Sequence, residues 1–180
     1  MLDIYNELSK PVSVVGNAES IFQKEYGKLI DENPTIRFNR ADILSETSQG
    51  KRWDYLVSSE INTFEKYNEQ QPKFHSLIFS PTKRAFTYKV GKVKFKTNIL
   101  KLPLNQSQEL ESKLDAPPST GLQILYFLDS IKNTDVNIFG FDFKATKTFY
   151  EQRNKGKHNF QKEKYLITDL VIKNNWNFFT

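Results

Sequence analysis

Short apolar runs that favour strands alternate along this chain with segments whose apolar residues recur at helical spacing. Pro11 to Gly16 is a β-branched run ending on glycine, and Ala18 to Ile30 places Ile21, Phe22, Tyr26, Leu29 and Ile30 at amphipathic-helix intervals. Thr35 to Asn39 alternates, with Ile36 and Phe38 on one face and Arg37 and Asn39 on the other, so a second strand delivers Asn39 at its C-terminal end. Trp53 to Val57 predicts a third strand, Asn62 to Gln71 a polar helix, and Phe74 to Phe79 a fourth strand stopped by Ser80 and Pro81.

Lys83 to Lys101 is the least regular part. Its Lys92 to Lys96 stretch alternates basic and apolar residues, as an edge strand or flap does. Gln106 to Leu114 predicts a short helix that Pro117 and Pro118 cannot continue. Ser119 to Gly121 then opens a helix through Ile131 whose apolar residues spread too widely around the axis for a surface position, so it should be buried. Val136 to Phe141 predicts a buried strand, Lys162 to Ile172 a helix and Trp176 to Phe179 a last strand. Strands separated by helices throughout predict an α/β fold: one Rossmann-like domain over residues 1–180, with a mainly parallel sheet and helices on both faces.

Composition narrows the chemistry. The 180 residues are 38% hydrophobic and 14% aromatic, enough for a packed core. With no cysteine there is no disulfide framework, thiolate metal site or cysteine nucleophile, which suits a cytoplasmic setting. No apolar run approaches the roughly 20 residues of a membrane span, and the N-terminus lacks a secretory pattern. The net charge of +5 is carried by lysines interspersed with acids, which reads as a solvated surface; an anionic partner is the alternative.

Two glycine turns and one histidine are the candidate chemistry. Gly16 lies between a predicted strand and helix, at the sheet edge where α/β folds bind ligands, and Asn17 offers a donor and an acceptor to a ribose or phosphate. A plain helix cap is the alternative for Asn17. The G-x-G-x-x-G dinucleotide spacing is absent. Ser119, Thr120 and Gly121 bring hydroxyls and N–H groups to a second helix start, with the same capping alternative.

His158 follows a basic stretch, and nearby lysines favour the neutral imidazole that can accept a proton; a solvated loop histidine is the alternative. In a continuous helix Glu163, five residues on, would diverge from it by about 140°, so His158 belongs in the loop and Glu163 in the first helical turn. Lys144 and Tyr150, after the buried strand, can donate to a departing phosphate, or can simply belong to an exposed polar loop. His75 reads as structural. No D-x-D pair stands at a strand end and Asp142 is isolated, so no metal is expected.

In order and spacing these segments resemble the family 29 sialyltransferases. Val14 to Ser20 with Ile36 to Asn39 is similar to their large motif, Pro118 to Leu128 with Val136 to Asp142 to their small motif, and His158 to Glu163 to their H-x4-E very small motif. The resemblance implies a glycosyltransferase A-type fold in its sialyltransferase variant. It also implies metal-independent, inverting transfer of sialic acid from CMP-sialic acid to a glycan hydroxyl, with no cofactor beyond that donor. Asn17 and Asn39 would contact the nucleotide phosphate and ribose, Ser119, Thr120 and Gly121 would surround the CMP, and His158 would be the general base.

The stretch Lys147 to Glu151 lacks the histidine of the family's third motif, and the disulfide of the animal members is missing. The layout is also similar to the bacterial family 42 sialyltransferases, in which Tyr150 falls where a leaving-group tyrosine stands. CMP-Kdo is an alternative donor, and a bacterial lipooligosaccharide or capsule is the expected acceptor. Lys83 to Lys101 could then touch an anionic membrane from the cytoplasmic side. A nucleotide- or glycan-binding domain without turnover is the competing reading; nucleic acid is not an expected partner.

Overall fold

The computed structural model describes residues 6, 8–40, 42–60, 62–65, 76–80, 98–133, 135–149 and 158–179. Seven strands form one sheet: β1 (Val12–Val15), β2 (Thr35–Phe38), β3 (Tyr55–Ser58), β4 (Ser76–Phe79), β5 (Asn98–Lys101), β6 (Val136–Phe139) and β7 (Asn177–Phe179). Their order is β5-β4-β3-β2-β1-β6-β7, and every neighbouring pair is parallel. Strands one to five step outward in one direction, and the chain then returns to place β6 against the other side of β1. Ligand crevices in α/β sheets form at such a reversal, outside the carboxyl ends of the two strands. Here those ends are Val15 and Phe139, which are partners in register.

Side chains alternate across the sheet as strand geometry requires. Val12, Val14, Ile36, Phe38, Val57 and Ile138 face a large core shared with α3 (Leu104–Leu114), α4 (Thr120–Ser130) and α5 (Phe160–Asn174). Val15 and Phe139 face the opposite side, against Ile21, Tyr26 and Ile30. α4 is the most enclosed element: Leu122, Ile124, Leu125, Phe127 and Leu128 are each at 0% exposure, matching the buried helix expected from its apolar breadth. Each such side chain contributes roughly 1.5–3 kcal/mol of burial, which holds rigid the helix whose first turn faces the crevice.

The segment Ala18 to Ile30 is not one helix. It is a 3-10 turn (Glu19–Gln23), an extended Lys24 (φ −137°, ψ 157°) and a short α1 (Gly27–Ile30), with α2 (Glu46–Gln49) packed beside α1. The break lets Tyr26 turn back onto Phe139 and Phe179, with ring centroids 5.5 and 5.6 Å away; this packing overrides the helical spacing of the sequence. The helix expected from Asn62 is present over 62–65, and its remainder lies outside the described residues, as do His75 and Lys92 to Lys96. Among the described residues no helix is long and apolar enough to cross a membrane.

Candidate functional site

At the carboxyl ends of β1 and β6 the two strands come into direct backbone contact. Gly16 donates its N–H to the Phe139 carbonyl at 2.7 Å, and a Cβ on Gly16 would lie 2.2 Å from the Gly140 oxygen. Gly140 itself adopts φ +65°, a left-handed conformation that glycine takes without steric cost. The ring of Phe141 then lies between the two glycine turns: a Cβ on Gly16 would be 2.8 Å from its Cδ2, and one on Gly121 would be 2.7 Å from its Cε1. The space that a side chain would take at Gly16 and at Gly121 is therefore filled by protein. Both glycines are required by the close approach of β1, β6 and α4, and Phe141 is the residue that the sequence reading missed.

Asn17 and Asn39 belong to adjacent strand ends. Asn17 donates from Nδ2 to the Phe38 carbonyl at 3.1 Å, which ties the turn after β1 to the end of β2. Asn39 has a left-handed backbone (φ 55°), donates its N–H to Val57 at 2.9 Å and accepts from Ser58 Oγ at 3.3 Å. Arg37, two residues earlier, does not join it. Its guanidinium is buried and donates to the Arg52 and Gln49 carbonyls at 2.8 and 2.7 Å, and burial pushes it down to about 10, so at neutral pH it remains a charged structural tie. Two residues after Gly16, Ala18 leads into the five-residue 3-10 turn Glu19–Gln23, which has no side-chain cap, so the α-helix N-terminus expected beside Gly16 is absent.

The start of α4 is a full helix N-terminus. Ser119 caps it, its Oγ accepting from Leu122 N–H at 3.2 Å. Ser119 also donates its N–H and hydroxyl to the two oxygens of Glu163, at 2.8 and 2.6 Å. The positive end of α4 thus already holds a carboxylate, supplied by the first turn of α5. The N–H groups of Thr120 and Gly121 have no protein acceptor among the described residues.

His158 sits in the loop just before α5, as the H-x4-E spacing required, and Asn159 caps that helix. The Nδ1 of His158 is 2.7 Å from the Pro117 carbonyl. A carbonyl can only accept, so Nδ1 carries the proton and in the neutral ring Nε2 presents a lone pair.

Glu163 is 2% exposed, and burial raises its carboxyl above the ordinary 4.5 against the opposing pull of Ser119 and His158. A carboxyl raised by folding favours the native state through its protonated form. That contribution is complete below the ordinary value and is lost as pH rises through the raised one. Glu163→Gln keeps the shape and cannot ionise. Its melting temperature relative to wild type should therefore increase from about pH 4 to pH 7, measured by calorimetry across that range; a constant or shrinking difference would contradict this assignment.

The loop after β6 supplies the basic wall. Lys144 donates from Nζ to Thr148 Oγ1 and lies 5.6 Å from the Phe160 ring centroid, and Phe160 meets the His158 ring edge-on at 5.5 Å. Tyr150 lies outside the described residues. A cavity of about 360 Å³ is lined by Gly16, Asn17, Asn39, Ser119, Thr120, Gly121, Lys144 and His158 together with Ser59, Glu60, Phe141, Thr146 and Thr148. Its volume is within the roughly 300–1,000 Å³ of small-molecule sites. Every described residue singled out from the sequence thus reaches one cavity. Among the described residues no group of three or more histidine, aspartate or glutamate side chains is placed to hold a metal ion.

Solved structures share this architecture. A mammalian sialyltransferase superposes with a TM-score of 0.69 at 21% identity, covering 94% of this chain and 68% of that one. The fold is that of the sialyltransferases. CstII from Campylobacter jejuni has the same fold in complexes with the substrate analogue CMP-3FNeuAc (TM-score 0.65, 13% identity) and with cytidine-5'-monophosphate (0.64, 14%). Each covers 94% of this chain, and the chain covers 80% and 79% of those proteins. No protein-family model and no curated protein sequence matches the chain.

Proposed function

We propose that this sialyltransferase-like chain transfers sialic acid from CMP-sialic acid to a hydroxyl of an acceptor glycan, with inversion and without a metal ion. The observation that carries the reading is the tautomer of His158: the Pro117 carbonyl holds the Nδ1 proton, leaving Nε2 as a base in the cavity that Asn17, Asn39, Thr120 and Gly121 also line. Nε2 takes the acceptor hydroxyl proton as that oxygen forms its bond to the anomeric carbon, and the bond from that carbon to the CMP phosphate oxygen breaks. Negative charge then gathers on the departing phosphate. The Lys144 ammonium and the Thr120 and Gly121 N–H groups stabilise it there, with the Tyr150 hydroxyl as a further donor.

Incubation with CMP-sialic acid and a panel of glycans, followed by NMR, tests this. The expected result is CMP release coupled to a product of inverted anomeric configuration, unaffected by EDTA. CMP-Kdo forms a second arm, because it shares the cytidine and phosphate. Binding of CMP with turnover of neither sugar would make the chain a nucleotide-binding domain instead.

A further inference from the structure

Phe143 and Lys144 are consecutive non-glycine residues in the left-handed region, at φ 56° and 67°. Such conformations are uncommon for bulky side chains and persist only where the surroundings enforce them. Asp142 provides that enforcement. Its Oδ1 accepts the Lys144 N–H at 3.0 Å, its Oδ2 accepts the Thr146 N–H at 2.8 Å and the Thr146 hydroxyl, and its carbonyl accepts the Ala145 N–H at 3.0 Å. The Phe143 ring stacks on Phe178 of β7, with centroids 6.1 Å apart. Beyond the turn, Thr148 bridges to Ala18, Lys147 accepts from Glu19 N–H at 3.0 Å and Phe149 donates to Asn17 at 3.2 Å, so the loop is fastened to the turn after β1.

This strained turn holds an ammonium that has no carboxylate within ion-pair distance among the described residues: Lys144 Nζ bonds only the Thr148 hydroxyl and lies over Phe160 at the cavity wall. A half-buried cation without a counter-charge, fixed at the wall of a cavity, is built for an anionic ligand. We propose that Asp142 is a positioning residue whose carboxylate holds the Phe143–Lys144 turn in its left-handed conformation, so that the Lys144 ammonium is aimed at the phosphate of the bound nucleotide. The choice of nucleotide rests on the function proposed above; the mount for an anion does not.

Titration of wild type, Asp142→Asn, Lys144→Ala and Lys144→Gly with CMP and with cytidine by calorimetry separates the phosphate contact from the rest of the site. Wild type should prefer CMP, and all three variants should lose about tenfold of CMP affinity while binding cytidine as before. Lys144→Gly should melt about 2–4 °C above Lys144→Ala, because both lack the amine and only glycine relieves the backbone. CMP and cytidine weakening together in Asp142→Asn, or glycine melting no higher than alanine, would overturn the proposal. If wild type binds neither compound, inorganic pyrophosphate decides. Saturable binding lost in Lys144→Ala and in Asp142→Asn would keep the mount and sink the nucleotide reading, whereas no binding would sink both.

Discussion

His158→Ala is expected to lower sugar transfer by about 10²- to 10⁴-fold while CMP binds as tightly as to wild type. The separation follows from the placement of the ring. His158 reaches the cavity from the loop before α5, and among the described residues its one direct hydrogen bond is from Nδ1 to Pro117, so its removal leaves the Ser119–Glu163 clasp and the Thr120 and Gly121 N–H groups in place. Nε2 contributes only where a proton leaves the acceptor. CMP affinity by calorimetry and transfer rate by CMP release give the two readings independently. An unchanged rate would remove His158 from the chemistry, and loss of both rate and CMP affinity would make it a binding residue.

The largest expected loss of stability is at Gly16. An alanine there would place its Cβ 2.2 Å from the Gly140 carbonyl oxygen and 2.9 Å from its carbon, and neither atom can rotate away as a side chain can. The β1–β6 contact must open, which costs about 3 kcal/mol or more, or roughly 6–12 °C of melting temperature for a chain of this size. Gly121→Ala is the matched control, since its Cβ meets only the Phe141 ring, a side chain that can shift. It should melt well above Gly16→Ala. Equal melting of Gly16→Ala and wild type would mean that the two strand ends are not joined as described.

The strands of the inner sheet were legible because their residues leave few alternatives: Val12 to Val15, Ile36 to Phe38 and Val136 to Phe139 are short, alternate or concentrate apolar residues around a single polar one, and are closed by glycine or asparagine. The site was legible for a related reason. Loops at the carboxyl ends of parallel strands share one edge, so Asn17, Asn39 and Lys144 had to come near one another once the sheet was read as parallel. The strand order was not legible, because pairing β6 with β1 depends on contacts across more than a hundred residues. Nor was the bond from Ser119 to Glu163, whose partners stand 44 positions apart and each look locally like an ordinary residue of a helix start. The predicted helix from Ala18 failed because helical spacing is also met by a 3-10 turn followed by a short helix, and only the Tyr26 contact with Phe139 decides between them.

The account depends on one cavity at the β1–β6 reversal being a cytidylate site. Backbone-amide NMR of the labelled protein during titration with CMP, and with UMP, AMP and GMP at equal concentration, tests that directly. The predicted result is saturable shifts with CMP alone, centred on Asn17, Asn39, Thr120, Gly121 and Lys144. Shifts elsewhere in the chain, or the same response to all four nucleotides, would contradict it.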